Sequence, residues 1–270
     1  MSRLAACVEY DGTAFCGWQV QAGQRTVEAT LLDAIARVAD QPTAVVCSGR
    51  TDSGVHAVGQ IIHFDSAARR APRSWLLGAN AYLPADVSLR WVRPVPDHFH
   101  ARYSALSRTY RYLILNRPTR SALARTRATW LHGTLDVPAM QRAADLLLGE
   151  HDFSAFRAAH CQSRSPVRRL DALDVRRDGD WLIIDATANA FLHHMVRNLV
   201  GLLVAIGRGD APSAWAGEVL AGRDRTRAAA TAPADGLYLQ HVRYDPAFAL
   251  PGPDRSAATG SAMIGSHEVR

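Results

Sequence analysis

Residues 47–64, "CSGRTDSGVHAVGQIIHF", set one carboxylate, Asp52, between Gly49 and Gly54, two residues after Arg50 and four before His56. Apolar runs flank the stretch, Val45-Val46-Cys47 before it and Ile61-Ile62-His63-Phe64 after it, and both read as strands. A lone acid on a glycine-flanked loop admits three readings. Asp before Ser-Gly caps turns, because its side chain bonds the backbone two residues on. Asp-Ser-Gly also has the form of half an aspartic protease dyad, which needs a second carboxylate to share the proton. The chain has no second Asp-Ser-Gly or Asp-Thr-Gly, and Arg50-Thr51 precedes Asp52 where apolar residues would be wanted, so this reading is discounted. The third is a single carboxylate, kept ionised by a nearby arginine and serving as nucleophile or base.

Three histidines, His56, His193 and His194, raise the question of a metal. Adjacent histidines on a helix point about 100° apart, unlike the i, i+4 pair that binds zinc. No acidic helix motif accompanies them, so a structural or RNA-contacting role is expected and no metal. "SGRTDSG" lacks the Gly-Lys-Ser/Thr ending of a phosphate-binding loop, and no G-x-G-x-x-G follows a strand. Tyr110 stands in a strand among arginines. Core packing and stacking against an unstacked base are both open to it.

These residues need a scaffold. Residues 3–10 read as a strand, and the stretch from Thr26 as a helix, with Thr26 as N-cap and Val27, Leu31, Leu32, Ile35 and Val38 on one face. A short helix near 74–82 and a strand near 87–93 follow. A similar alternation restarts with a strand at 107–116 and a helix from Asp136, with Pro138 in its first turn and Gly149 as its terminator. Then come a hairpin about Asp178-Gly179, a helix at 191–207 and a closing strand, "DGLYLQHVRY". On the 191–207 helix, Leu192, Met195, Val196, Leu199, Leu202, Leu203 and Ile206 form an apolar stripe. His193, His194 and Arg197 fall opposite, where they can line a cleft. The pattern predicts two similar α/β halves, 1–105 and 106–245, and a disordered tail over 246–270.

Composition sets the outer limits. The 270 residues are 48% hydrophobic and 21% charged, as a globular protein requires, with a net charge of +6. No apolar run approaches a membrane span, and the N-terminus lacks the apolar core of a signal peptide. The cytoplasm is the expected location. Four scattered cysteines without a C-x-x-C pair argue against a disulfide framework or zinc site. All 31 basic residues are arginine. Residues 98–135 carry Arg102, Arg108, Arg111, Arg117, Arg120, Arg125 and Arg127 without one acid, and 153–170 carry Arg157, Arg164, Arg168 and Arg169 likewise. Two acid-free basic stretches in a mixed chain point to a polyanion, with nucleic acid first.

The ordered motifs resemble the tRNA pseudouridine synthase I (TruA) family over nearly the whole chain to about residue 245. They are "EYDGTAFCGWQ" (9–19), "GRTDSGVHAVGQ" (49–60), "HFHARYSA" (98–105), "RTYRY" (108–112), "LLGEHDFSAFR" (147–157), "QSRSPVR" (162–168), "NAFLHHMVRN" (189–198) and "APADGLYL" (232–239). The resemblance implies an α+β fold of two ferredoxin-like halves, with a joined, mainly antiparallel sheet and a central basic cleft. It implies a homodimer that isomerises uridine to pseudouridine at positions 38, 39 and 40 of the tRNA anticodon stem-loop, with no metal and no cofactor. It carries the catalytic aspartate onto Asp52, the active-site tyrosine onto Tyr110, and arginine neighbours onto Arg50 and Arg197.

That activity explains a lone acid. The glycosidic bond from C1′ to N1 breaks, the uracil turns, and C1′ rejoins through C5. No water is consumed, so the second carboxylate of a glycosidase is unnecessary. A uridine in a stem must first be flipped out, at an expense of a few kcal/mol.

Overall fold

The computed structural model describes residues 1–159 and 161–252. It is a mixed α+β protein whose strands are mostly antiparallel. In chain order the strands are β1 (Ser2–Tyr10), β2 (Val46–Cys47), β3 (His56–Ser66), β4 (Val87–Pro94), β5 (Ser107–Asn116), β6 (Thr129–Leu131), β7 (Gly149–Asp152), β8 (Val167–Asp178), β9 (Trp181–Ala188) and β10 (Leu237–Arg243). The helices are α1 (Val27–Ala39), α2 (Pro72–Tyr82), α3 (Val137–Asp145), α4 (Met195–Arg208) and α5 (Trp215–Gly222). Two compact units result: Met1–Leu106 together with residues 238–252, and Ser107–Leu237.

In the first unit β1 pairs antiparallel with β3 (Ala6↔Ile62) and with β4 (Ala6↔Val92). Because β1 has a strand on each side and an unbroken apolar run, residues 4–8 are buried on both faces. The far edge of β3 is shared: β2 lies against Ile62-His63, and β10 runs parallel to His56-Ala57. Thr26 caps α1, its hydroxyl accepting from Ala29 N–H (3.4 Å), and Val27, Leu31, Ile35 and Val38 are buried as their spacing predicts. A 3₁₀ turn, Pro246–Phe248, follows β10 and sets Phe248 edge-on to Phe99, with ring centroids 5.0 Å apart. That turn is ordered structure inside the 246–270 stretch expected to be a disordered tail; the rest of that expectation, from residue 253, lies outside the described residues.

In the second unit the strand order is β6-β5-β9-β8-β7. The expected hairpin joins β8 to β9, with Asp178 opposite Trp181 and Gly179 at φ +56°. Two boundaries differ from expectation. The helix α3 ends at Asp145, and Gly149 opens β7 instead of terminating the helix. The helix α4 starts at Met195, not 191, because His194 takes a left-handed conformation (φ +61°) that an α-helix cannot continue through. The apolar stripe from Leu192 to Ile206 is nonetheless buried along its length. Among the described residues no helix is long and apolar enough to cross a membrane. All four cysteines are free thiols.

Candidate active site

Asp52 lies half-buried in the loop between β2 and β3. Its carbonyl accepts from Val55 N–H (3.1 Å), and Gly54 supplies the left-handed step (φ +79°) that closes this turn. The segment 10–18 holds the loop on both sides of the acid. Trp18 N–H donates to the Thr51 carbonyl (3.0 Å), and the Tyr10 and Thr51 hydroxyls are 2.7 Å apart. Gly54 N–H (3.3 Å) and the Ser53 hydroxyl (3.2 Å) both donate to the Phe15 carbonyl. Trp18 and Tyr10 are themselves buried, so the loop is rooted in the core.

Glycine makes this close approach possible. At Gly17 (φ +82°) a β-carbon would stand 2.9 Å from the Thr51 carbonyl oxygen and 3.2 Å from the Asp52 carbonyl carbon. At Gly12 it would meet the Val55 carbonyl oxygen at 2.0 Å. The two motifs "EYDGTAFCGWQ" and "GRTDSGVHAVGQ" are therefore one structural piece, which sequence spacing does not reveal. Upstream, buried Gln60 accepts from Ser48 Oγ and donates to the Gly49 carbonyl (both 2.6 Å), fixing the chain just before exposed Arg50. Gly49 itself is not in a left-handed conformation. His56 is 2% exposed, accepts Gly12 N–H at Nδ1 (3.0 Å) and stacks on Tyr238 (4.6 Å). It is a packing residue of the first unit.

The second unit positions Tyr110 and Arg197. Tyr110 stands on β5 opposite Ala186 of β9, its ring edge-on to Phe191 (5.2 Å) and 9% exposed. Arg197, half-buried on α4, donates from Nε to the Ala232 carbonyl (2.8 Å), while Ala232 N–H donates to the Arg197 carbonyl (3.1 Å). The segment 230–236 links helix and strand. At its far end Gly236 accepts from Leu113 N–H (2.8 Å), and the Tyr112 hydroxyl donates to the Pro233 carbonyl (2.8 Å). Burial pushes the Tyr112 hydroxyl above the ordinary phenol pKa, so it stays a neutral donor. The element carrying Tyr110 and the element carrying Arg197 are thus tied through one shared strap.

His193 and His194 are not on the polar face of a helix with Arg197, as expected; they form the turn before α4, with ring centroids 4.1 Å apart. His193 N–H approaches Cys161 Sγ (3.4 Å), and its carbonyl accepts from Ala158 N–H (3.0 Å). Beside them opens a cavity of about 490 Å³ lined by Asn198, Arg225 and Thr231. Asn198 was not singled out in the sequence, although a polar side chain on an apolar stripe is a signal. It is 1% exposed, donates to the Phe156 carbonyl (2.7 Å) and accepts from Arg225 (3.1 Å) and the Thr231 hydroxyl (2.6 Å).

The acid-free basic stretches divide into two classes. Arg111 makes a two-pronged bond to Asp185 (2.7 and 2.8 Å), which also receives Arg176 (2.7 Å). Burial alone would raise the Asp185 carboxyl, but these two guanidinium groups outweigh it and hold it below the usual range. Arg157 donates to the Cys161 and Ser163 carbonyls (both 2.7 Å). These arginines build the fold. Arg102, Arg120, Arg125, Arg127 and Arg164 are exposed.

The sequence profile of a family described as tRNA pseudouridine synthase matches residues 6–104 and 143–245. A Methylococcus capsulatus protein named tRNA pseudouridine synthase A is 56% identical over 248 residues, 92% of this chain and 92% of that protein. Proteins of the same name from Paraburkholderia phymatum (51% over 263 residues, 97% of this chain and 98% of that protein) and Nitrosococcus oceani (53% over 249 residues, 92% and 96%) are similar over most of their lengths.

Proposed function

Because this chain belongs to the tRNA pseudouridine synthase family, a family of isomerases, we propose that Asp52 is its catalytic carboxylate and that Tyr110, Arg50 and Arg197 bind the target uridine. The observation that carries this reading is how the Asp52 loop is held: hydrogen bonds from the core-rooted segment 10–18 fall on both sides of the acid, and Gly12 and Gly17 approach the loop too closely to admit a side chain. A turn residue needs no such support; a group that must meet a reacting atom does.

In this reading Asp52 works on uridines 38, 39 and 40 of the anticodon stem-loop. It assists cleavage of the bond from C1′ to N1, the base turns in place, and C5 bonds to C1′ while its proton leaves and N1 gains one. Tyr110 stacks on the flipped base, Arg197 supplies the cation beside the carboxylate, and Arg50 grips the backbone near the extruded nucleotide. The exchange involves neither water nor a change of oxidation state; this reading assigns no metal and no cofactor, and activity is expected to survive dialysis against EDTA. The working enzyme is a cytoplasmic homodimer of two ferredoxin-like halves that divide near residue 105, whose joined sheet borders a basic cleft. Light scattering should give twice the chain mass.

The test is tritium release from tRNA labelled at uridine C5. Wild type releases label; Asp52→Asn releases none yet still binds tRNA, because a negative charge removed from a basic surface leaves phosphate contacts intact. A non-catalytic RNA-binding protein would bind equally well and release nothing even as wild type. An Asp52→Asn variant turning over near the wild-type rate overturns the assignment.

A further inference from the structure

We propose that the turn 99–104 is a second tRNA contact, in which Tyr103 offers its ring as a stacking surface for an unpaired base outside the catalytic pocket. This rests on the tRNA reading above.

Tyr103 is 76% exposed, one of the most exposed large hydrophobic side chains among the described residues, and no fold requirement puts it there. Its backbone, by contrast, is tightly specified. The His100 ring accepts N–H bonds from both Arg102 (3.2 Å) and Tyr103 (3.1 Å) at Nδ1. The buried His63 ring accepts Ala101 N–H at its own Nδ1 (3.1 Å). Ser104 closes the turn in both directions, its N–H donating to the His100 carbonyl (2.9 Å) and its hydroxyl accepting from His100 N–H (3.0 Å). A turn so fully bonded presents its tip in one orientation.

The rings form a ladder from core to surface. Phe99, fully buried, meets His63 edge-on (6.1 Å); His63 lies 4.8 Å from His100, and His100 lies 4.3 Å from Tyr103 at 31° between planes. A nucleobase on Tyr103 adds one rung. The Arg102 guanidinium stands 5.5 Å from the Tyr103 ring centre, and the turn opens the acid-free stretch 98–135. An exposed aromatic beside a cation, on a basic run, is how proteins hold single-stranded nucleic acid. An exposed apolar ring awaiting a protein partner would have no need of that charge.

Position decides which step the contact serves. The turn leans on His63, whereas the Asp52 loop leads into His56, and the strand between them, β3, spans about 23 Å over those seven steps. A base bound at Tyr103 lies outside reach of Asp52, so the contact serves affinity and not the chemical step.

The test uses the full-length protein with a tRNA transcript. Tyr103→Ala should raise Kd about tenfold or more, while the single-turnover rate at saturating tRNA stays within about twofold of wild type. Tyr103→Phe and Tyr103→Trp should keep wild-type affinity, because stacking needs the ring and not the hydroxyl. The slope of log affinity against log salt should be unchanged in Tyr103→Ala and shallower in Arg102→Ala. An unchanged Kd in Tyr103→Ala overturns the inference, as does an equal loss in Tyr103→Phe. So does a shift from dimer to monomer in light scattering, which would make Tyr103 a contact between copies. A wild type that binds tRNA but releases no tritium refutes the catalytic reading and leaves this contact standing on Kd alone. A wild type that does not bind tRNA refutes both.

Discussion

Gly17 packs its α-carbon against the backbone of Asp52, so closely that a methyl group there would sit 3.2 Å from the Asp52 carbonyl carbon and 2.9 Å from the Thr51 oxygen. A residue 35 positions upstream therefore sets where the proposed catalytic acid stands. Gly17→Ala adds backbone strain of about 1–2 kcal/mol at φ +82° and pushes the loop aside. Displacement of a reacting group by about 1 Å lowers rates by about 100-fold, so turnover should fall far more than stability. Gly23→Ala is the control: it carries similar strain at φ +70°, with nothing within 4 Å. It should melt slightly early and turn over at the wild-type rate. Equal turnover in the two variants would detach Gly17 from catalysis.

The two classes of arginine predict two kinds of salt behaviour. Exposed Arg120, Arg125 and Arg164, changed to Gln, should each reduce the slope of log affinity against log salt by about 0.7–0.9 if each neutralises one phosphate. Arg111→Gln should leave the slope alone and lower the melting temperature instead. The Arg111 and Asp185 side chains are only 13% and 16% exposed, and because Arg176 stays on the carboxylate the loss should fall below the about 3–5 kcal/mol of a buried charge left alone. A slope that falls for Arg111→Gln with the melting temperature unchanged would reverse the division.

Much of the scaffold was legible because its causes are local. The Thr26 cap, the α1 stripe and the Asp178-Gly179 turn each act within a few residues. What was illegible is tertiary. Arg111 sits in an acid-free window, which suggested a polyanion, yet its partner Asp185 lies directly opposite on β9, a register no local window contains. Leu192 continues the apolar period and so predicts an earlier start for α4; it is buried, but ahead of the turn at His194 and not on the helix. Tyr110 and Tyr112 look alike in a strand buried on both faces, and only the structure separates the one bonded into the core from the one set against Phe191. Asp52 stood out in the sequence, whereas the Gly17 contact that holds it did not.

Acid should loosen the first unit through His63. Burial first, then the charges of Arg3 and His100, push its imidazole down to about 4, with Asp65 opposing weakly. Its Nδ1 must be unprotonated to accept Ala101 N–H. The folded value is below the unfolded one, near 6.5. The neutral ring's contribution is therefore complete above about pH 6.5 and is lost progressively as pH falls toward 4, by roughly 2–3 kcal/mol in all. His63→Gln keeps an acceptor but cannot titrate. Its melting temperature should start lower at pH 7 and converge on the wild-type curve by pH 4.5. Parallel curves across that window would mean His63 is not the titrating group.

Arg197 is the sharpest test of the proposed chemistry, because its structural and catalytic roles separate by measurement. In the fold it donates from Nε to the Ala232 carbonyl, and losing that bond removes about 1 kcal/mol. A purely structural Arg197 therefore predicts that Arg197→Ala melts a few degrees early and otherwise works. If instead the guanidinium serves the Asp52 carboxylate, kcat should fall at least about 100-fold at temperatures where the variant is fully folded, and tRNA affinity should change little. Arg197→Lys restores the charge but not the planar fork. It should recover less than a tenth of the lost rate. The dependence on pH then distinguishes a carboxylate from a phosphate as the partner. A loss that shrinks as pH rises means that the missing cation had favoured the ionised acid. A loss equal at every pH means that Arg197 holds the substrate's phosphate, and Asp52 works without it.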